Sequence, residues 1–480
     1  MDINFNSTIC ALSTVQGKGA IAVIRVTGEN SIIIVDSIFK PLKGKPLSET
    51  PGNRVRYGSI YDGDVVIDEV LVSLYRTPHS YTGENMAEIS CHGSQYIQQE
   101  ILMLLLSRGA KLAAPGEFSK RAFLNGKMDL AQAEAVADLI SSETEASHRI
   151  AMQQMKGGFS KELSQMRASL LEIVSLMELE LDFSDEDVEF ADRDKLLKLV
   201  NSVDSHITKL IESFKLGNVI KNGIPVAIAG ATNTGKSTLL NAFLDEERAI
   251  VSDIHGTTRD FIEGFVNIDG VGYRFIDTAG IRETQEFIEI IGIERSFEKI
   301  KSSSIVLLVL DSERENHFES SIQQLSSIVD SGNQKVVIIL NKSDIYKKNN
   351  SDNGETEIKK ALSEIKSICI KNNLATEAEI PVSAKEREGL EMIKETLIKS
   401  RNLEMSHSYS TLVTNIRHYE ALREAKTSLE RVKSGLSASL PTDLLAQDIR
   451  EVLYHIGEIV GEINTEEILG NIFSKFCIGK

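Results

Sequence analysis

A chain of 480 residues is too long for one hydrophobic core and predicts a multidomain protein. Its 70 acidic against 53 basic side chains give a formal net charge of −17, which excludes general affinity for polyanions; nucleic acid would have to meet a local basic patch or arrive through a second protein. Apolar residues make up 41%, and no apolar run approaches the ~20 residues a membrane span needs.

The start, Met1-Asp2-Ile3-Asn4, lacks a basic n-region, so no secretory signal is expected. Residues 1–127 read as an α/β domain. Ala20 to Val26 and Asp68 to Tyr75 have the composition of strands. A polar turn, Thr77-Pro78-His79-Ser80-Tyr81-Thr82-Gly83-Glu84, leads to Met86-Ala87-Glu88-Ile89-Ser90-Cys91-His92-Gly93. There Glu88 sits among small and apolar residues on a strand, where a charge needs a partner. A second loop, Ala114-Pro115-Gly116-Glu117-Phe118-Ser119-Lys120-Arg121, leads to Phe123-Leu124-Asn125-Gly126-Lys127. On spacing alone these polar residues read as turn and capping chemistry.

From Met128 the period changes to helix, and residues 128–217 form the first part of a helical domain. Leu130, Ala133, Val136, Leu139 and Ile140 share one face, as do Leu163, Met166, Leu170, Ile173, Val174 and Met177, so both stripes predict bundle core. The acidic stretch from Asp182 to Glu189 reads as a solvated helix start. Gly217 and Gly223 mark the entry to a nucleotide domain, residues 218–400, in which Lys347 to Glu355 reads as a polar loop. Residues 401–480 return to helix at Tyr419 to Lys433 and Leu444 to Val460, then end in Cys477-Ile478-Gly479-Lys480. The expected fold is multidomain, α/β and α. An N-terminal α/β domain precedes a central helical bundle built from both flanks, with the domain of residues 218–400 inserted in it. Four cysteines (Cys10, Cys91, Cys369 and Cys477) lie far apart without a CxxC pair and read as reduced thiols of a cytoplasmic protein.

The nucleotide domain carries the clearest chemistry. The apolar run Ile224 to Ala229 is followed by Gly230-Ala231-Thr232-Asn233-Thr234-Gly235-Lys236-Ser237 and a helix-like run from Thr238. That strand–loop–helix context makes the glycine pattern a phosphate cradle running through Asn233, Thr234, Gly235, Lys236, Ser237 and Thr238. Lys236 can reach the β- and γ-phosphates and so takes part in catalysis, and the Ser237 hydroxyl can ligate Mg²⁺. Asp277-Thr278-Ala279-Gly280 follows a strand-like run; Asp277 can hold the metal through water, and the Gly280 N–H can sense the γ-phosphate. Asn341-Lys342-Ser343-Asp344 follows the apolar run Val336 to Leu340, and Asp344 can accept two hydrogen bonds from the guanine edge. Adenine offers no matching donors, and the carboxylate left unpaired gives discrimination on the order of 10⁴ or more. Ser383-Ala384-Lys385 can bring a backbone N–H to the guanine O6. The order of these motifs specifies GTP, so the inserted domain is expected to be a Ras-like P-loop GTPase domain.

Between the first two lies Ser252-Asp253-Ile254-His255-Gly256-Thr257-Thr258-Arg259-Asp260, where Thr258 is the candidate second hydroxyl ligand of Mg²⁺. Ile281 stands where a Ras-like GTPase has its water-orienting glutamine, and isoleucine cannot hydrogen-bond water. Either hydrolysis is poor or its catalysis comes from elsewhere. A monovalent cation held by Asn233 and the carbonyls of Ser252 and Ile254 would supply the missing positive charge.

These residues carry a resemblance to the bacterial and organellar tRNA-modification GTPase family called MnmE or TrmE, over essentially the full length. It rests on Ser80-Tyr81-Thr82-Gly83-Glu84, Pro115-Gly116-Glu117-Phe118, Arg121 to Lys127, Asp129-Leu130-Ala131-Gln132-Ala133-Glu134-Ala135, Gly256-Thr257-Thr258-Arg259-Asp260 and the Cys477-Ile478-Gly479-Lys480 tail. Other GTPases share the nucleotide motifs but neither this N-terminal half nor this tail. The resemblance implies a homodimer joined through N-terminal folate-binding-like domains and a flavoprotein partner, MnmG (GidA), in a heterotetramer or larger. It implies aminomethyl or carboxymethylaminomethyl addition at carbon 5 of the tRNA wobble uridine, using a one-carbon unit from a reduced folate (5-formyl- or methylene-tetrahydrofolate). By motif match, Arg25, Glu88, Lys127 and Lys480 fall at its folate site. Asn233, Ser252, Ile254 and Thr257 fall at its K⁺ site, and Glu289 falls at its water-orienting glutamate, which answers the Ile281 problem. Arg25 and Lys127 suit an anionic cofactor. Thr232, Ser252, His255 and Ile290 depart from the residues common there; the Ser252 contact is through its carbonyl, so the K⁺ site is expected to survive. Cys477 is either a reactive thiol near the folate or a buried small residue.

Competing with a K⁺-activated GTPase in tRNA modification is a GTP-switched RNA-binding or ribosome-assembly factor, which would need neither the tail nor the folate-matching residues. A cytoskeletal or septum-associated GTPase would have no use for Glu88 and Lys127.

Overall fold

Alternation along the second strand of the chain, β2 (Ile21–Thr27), sends Ala22, Ile24 and Val26 into the core and turns Arg25 to the opposite face. This strand sits near the middle of a seven-stranded sheet with the order β3-β4-β5-β6-β2-β1-β7. Its other members are β1 (Ile9–Leu12), β3 (Phe39–Pro41), β4 (Arg54–Asp62), β5 (Val65–Tyr75), β6 (Met86–His92) and β7 (Lys111–Leu112). Only the β1–β7 pairing is parallel among those described. Helices α1 (Ser31–Asp36) and α2 (Gln95–Ser107) bury Val35, Ile101 and Leu105 against Ile24, Val72 and Ile89 of the sheet. The antiparallel register of β2 with β6 sets Arg25 directly opposite Glu88. The computed structural model describes residues 7–182, 193–246, 263–277, 298–313, 318–330, 332, 334–349, 354–400, 412–438, 440–463 and 466–479.

Beside this sheet, α3 (Glu117–Leu124) carries Arg121, which is 1% exposed. Arg121 Nη2 donates to Glu117 Oε1 at 2.9 Å and Nη1 to Glu84 Oε1 at 3.2 Å. Thr27 Oγ1 adds a hydrogen bond to Glu84 Oε2 at 3.0 Å. A desolvated guanidinium is tolerated only with such partners, and stripping one away costs about 3–5 kcal/mol. The turn through Glu84 and the loop through Glu117 are thereby joined by one buried cation, which goes beyond the turn and capping roles expected of them.

The same unit, formed by Met1–Ser141, Ala151–Lys209 and Arg417–Lys480, holds most of the helices. They are α4 (Leu130–Ile140), the second half of α5 (Glu145–Met155), α6 (Gly158–Asp182) and the first half of α7 (Arg193–Asn222). From the end of the chain come α13 (Ile416–Ser437), α14 (Thr442–Val460) and α15 (Glu466–Phe473). Asp129 starts α4 with a capping box: Gln132 N donates to its Oδ1 at 2.8 Å, and Asp129 N donates to Gln132 Oε1 at 3.0 Å. The predicted stripe from Leu163 to Met177 on α6 is buried, as are Leu429 on α13 and Ile449 and Ile456 on α14. The α4 stripe is buried at Leu130, Ala133 and Val136 but opens to solvent at Ile140.

Both flanks of this helical part meet at Glu134. Arg417 donates to it through Nε at 3.0 Å and Nη2 at 2.8 Å, and His418 Nε2 lies 2.6 Å from its Oε2. Arg417 also donates to the carbonyls of Glu458 at 2.8 Å and Ile459 at 3.0 Å, at the end of α14. Burial pushes the Glu134 carboxyl up, but His418 and Arg417 outweigh it and hold the group down at about 2.

The second unit, Ser142–Ile150 and Leu210–Ile416, contains a six-stranded sheet with the order β13-β12-β11-β8-β10-β9. Its strands are β8 (Ile224–Ala229), β9 (Glu263–Ile268), β10 (Val271–Asp277), β11 (Ile305–Asp311), β12 (Lys335–Asn341) and β13 (Ala378–Pro381). Among the described residues, all its pairings are parallel except β9 with β10. Helices α8 (Lys236–Glu246) and α12 (Leu390–Ser400) pack Leu239, Phe243 and Ile393 on one face; α9 (Phe318–Ser326) and α11 (Gly354–Lys371) pack Phe318, Ile322 and Ile365 on the other. Covered on both sides, β11 is buried along its whole length, which is why it reads as a continuous apolar run. The stretch Lys347 to Glu355, expected as a loop, is helical at both described ends: α10 (Ser343–Asn349) enters it and α11 leaves it. The acidic stretch from Phe183 to Glu189 lies outside the described residues. No helix among the described residues is long and apolar enough to cross a membrane.

Glu134→Ala is expected to lower the unfolding free energy at neutral pH by about 1.5–3 kcal/mol, because it leaves the half-buried Arg417 and the buried His418 without their carboxylate. The carboxyl is depressed in the folded state, so its contribution is present above its ordinary value of 4.5 and is lost as pH falls toward about 2. Urea unfolding of both proteins across that window should show their stability difference shrinking with acid.

Candidate functional site

The parallel strands of the second unit end on one side, where Ala229, Asp311 and Asn341 all finish. After β8 the chain turns through Gly230 (φ 143°), Asn233 (φ 64°) and Gly235 (φ 92°) into α8. A Cβ on Gly230 would lie 2.3 Å from the Val309 carbonyl oxygen, and one on Gly235 would lie 2.2 Å from Asn341 Nδ2. Both glycines are therefore required for the loop to pass so close to its neighbours. Lys236 is 5% exposed and folds over this loop, its Nζ donating to Gly230 O at 2.8 Å and Ala231 O at 2.6 Å. Thr234 Oγ1 donates to Ala231 O at 3.0 Å, and Leu239 N donates to Gly235 O at 2.9 Å as the helix begins. A loop of backbone N–H groups leading into a helix N-terminus, with a lysine bent across it, can hold a phosphate chain.

Asn341 ties the loop to the rest of the site. Its Nδ2 donates to Thr234 O at 2.8 Å, and its Oδ1 accepts from Ala384 N at 3.0 Å. One side chain thus spans from the phosphate loop to Ser383-Ala384-Lys385. Ser383 Oγ donates to Asp344 Oδ1 at 2.7 Å, orienting the carboxylate expected to read guanine. The Ser383 turn is fixed by paired backbone hydrogen bonds with Glu388 of 3.0 and 3.1 Å.

Lys342 adopts a left-handed backbone (φ 61°) and donates from Nζ to Asp311 Oδ2 at 2.7 Å and Glu313 Oε2 at 3.2 Å. The hydrogen bond to Asp311 is the main cause that raises its pKa. Asp311 belongs to the site by geometry yet is absent from the sequence expectation; its only signal there is an acidic residue closing an apolar strand. Asp277 ends β10 in register with Ile228, beside the start of the loop. Ser252, Asp253, Ile254, His255, Gly256, Thr257, Thr258, Thr278, Ala279, Gly280, Glu289 and Lys480 lie outside the described residues.

A separate cluster lies in the N-terminal sheet. Arg25, expected to meet an anionic cofactor, donates from Nε and Nη2 to Glu88 Oε1 at 3.0 and 2.8 Å, and from Nη1 to Gly479 O at 3.3 Å. Its guanidinium lies 5.2 Å from the Tyr81 ring centre and 5.6 Å from that of Phe118. The partner that Glu88 requires is thus Arg25. Tyr75 OH stands 3.4 Å from the other Glu88 oxygen. Lys127 Nζ, on the nearby loop, donates to Pro78 O at 3.0 Å. Burial pushes the thiols of Cys10, Cys91 and Cys369 up to about 12, 11 and 11, while Cys477 is exposed. Exposure removes the alternative that Cys477 is a buried packing residue, and burial makes the other three poor nucleophiles.

The family model for the GTP-binding protein TrmE N-terminus matches residues 8–127, and that for the MnmE helical domain matches residues 130–477. The tRNA modification GTPase MnmE of Bacteroides thetaiotaomicron is 51% identical over 477 residues, covering 98% of this chain and 99% of its own. The protein of that name from Flavobacterium psychrophilum is 50% identical over 481 residues, covering 99% and 100%. Among solved structures, the G domain of the T. maritima FeoB iron transporter is 23% identical, covers 37% of this chain and 98% of its own, and has a TM-score of 0.26.

Asn341→Ala removes both hydrogen bonds of the strut. A fluorescent GDP analogue is expected to bind the variant about thirtyfold more weakly in a titration, as two net hydrogen bonds of ~1 kcal/mol each imply.

Proposed function

This chain belongs to the MnmE family of tRNA modification GTPases, and from that premise we propose how its two candidate sites divide the work. It is a GTP-hydrolysing tRNA-modification enzyme. In the GTPase site, the loop from Asn233 to Thr238 cradles the phosphates. Lys236 leaves the carbonyls of Gly230 and Ala231 to neutralise the β- and γ-oxygens, and Asp344, Ser383, Ala384 and Lys385 read guanine. The observation that carries this reading is the Asn341 strut, whose bonds to Thr234 and Ala384 make phosphate grip and base recognition one rigid piece.

Ser237 and Thr258 would hold Mg²⁺, which supplies charge neutralisation at the phosphates when bound. The loop suits such a group: it has no space for a Cβ at Gly230 or Gly235, and a buried lysine is already folded over its carbonyls. Asn233, Ser252, Ile254 and Thr257 would hold K⁺. The positive φ of Asn233 supports this reading, since it marks that residue as a special position in the loop. K⁺ supplies the positive charge that Ile281 leaves wanting, and Glu289 orients water.

In the N-terminal site, Glu88 would take the pterin edge of a reduced folate, with Arg25, Lys127 and Lys480 as the other folate-binding residues, and the exposed Cys477 thiol would serve the one-carbon chemistry. The product is a wobble uridine substituted at carbon 5, made with a flavoprotein partner in the cytoplasm. Homodimerisation through the N-terminal sheet is supported by Val55, Tyr57 and Leu71, exposed apolar side chains on the neighbouring strands β4 and β5, with Tyr57 and Leu71 directly paired.

Loss of this protein is expected to abolish the carbon-5 substituent on wobble uridines, read by mass analysis of digested tRNA; unchanged nucleosides would rule out the modification role. GTP hydrolysis by the purified protein is expected to be at least about tenfold faster in KCl than in NaCl at equal ionic strength, the scale of one preorganised charge. Equal rates would remove K⁺ from the reading.

A further inference from the structure

The chain beyond α15 runs back onto the N-terminal sheet. Phe473 and Phe476 anchor it in an apolar cluster with Leu130 and Ala133. Past these rings, among the described residues, polar contacts and a close backbone fit hold it. The Gly116 N–H lies 3.5 Å from the Cys477 carbonyl oxygen. The Gly479 carbonyl accepts from Ser13 Oγ at 3.2 Å and from Arg25 Nη1 at 3.3 Å. Gly479 itself is buried with φ 94°, and a Cβ there would lie 2.4 Å from Leu12 O, so no other residue fits without moving the chain. Arg25 is held between Tyr81 and Phe118 and binds Glu88 Oε1 twice. A single immobilised guanidinium therefore joins the Glu88 carboxylate to the end of the chain.

We propose that Cys477–Gly479 is a strap, latched through the Gly479 carbonyl to Ser13 and Arg25, and that Arg25 is a positioning residue coupling the strap to occupancy at Glu88. The coupling rests on reading Glu88 as the acceptor for a reduced folate. Glu88 Oε1 is committed to Arg25, while Oε2 meets Tyr75 OH at a long 3.4 Å and is the oxygen better placed to accept from a ligand N–H. With the strap open, Arg25 Nη1 loses the Gly479 carbonyl and the guanidinium is free to turn toward Oε2 and compete for it. A ligand using Oε2 therefore binds the latched form better than the open one and draws the equilibrium toward closure.

Cys477 can be labelled selectively, because it is exposed while Cys10, Cys91 and Cys369 are buried, and a nitroxide spin label there distinguishes a docked strap from an open one. Gly479→Ala, which cannot dock, and Ser13→Ala, which removes one latch donor, are compared with the unaltered full chain by the ratio of mobile to immobile label. Without ligand, that ratio is expected to be roughly five- to tenfold higher in both variants, the scale of one net hydrogen bond. Added 5-formyltetrahydrofolate is expected to lower the ratio in the unaltered protein and to bind Gly479→Ala about tenfold more weakly by calorimetry. A ratio unchanged in both variants would overturn the latch. Equal folate affinity in unaltered and variant proteins would overturn the coupling. An unaltered protein blind to the folate, with the ratio still higher in the variants, overturns the folate reading and the coupling while the latch stands.

Discussion

A charge taken out of water must bring its counter-charge with it, and that constraint fixes the unit that holds the N-terminal sheet. Arg121 cannot be solvated where it lies, so Glu84 and Glu117 must approach it, and with them the turn after β5 and the loop before α3. Glu134 imposes the same demand on Arg417 and His418 from a distant part of the sequence. These networks do not make the unit unusually stable, since apolar replacements often do as well. They make its alternatives costly: any packing that separates the partners leaves a bare charge in low dielectric.

The nucleotide unit uses neutral hydrogen bonds to the same end. Asn341 has one donor and one acceptor directed to separate loops, and the left-handed backbone at Lys342 turns the following residues toward Asp344. A site assembled from loops at the ends of parallel strands is adaptable in its chemistry but needs cross-links of this kind to hold a purine and a phosphate chain at a fixed separation. The pairing of Lys342 with Asp311 extends the cross-linking to a third strand.

Features carried by contiguous residues were legible in the sequence. The phosphate loop, the helical stripe from Leu163 to Met177 and the strand of Glu88 each depend on neighbours within a few positions. Glu88 declared its need for a partner, but not which one. Arg25 answers it only because β2 and β6 pair in a particular register, which local pattern does not encode. Ser13, Gly479 and Asp311 escaped for the same reason, their roles arising between segments hundreds of residues apart or on adjacent strands. The stretch around Lys347 misled because a polar run with no apolar periodicity reads as loop, although its described residues form the end of one helix and the start of the next.

The meeting of Glu134 with Arg417 also bears on how the chain is made. Every residue of the nucleotide unit's sheet leaves the ribosome before Arg417 does, so that sheet can close during synthesis while α4 and α6 wait for α13 and α14. In that interval the stripe of Leu163, Leu170 and Ile173 has no permanent cover, and at 5–20 residues per second the wait lasts on the order of tens of seconds. A nascent chain of this design carries its aggregation risk in the first-made helices rather than in the last.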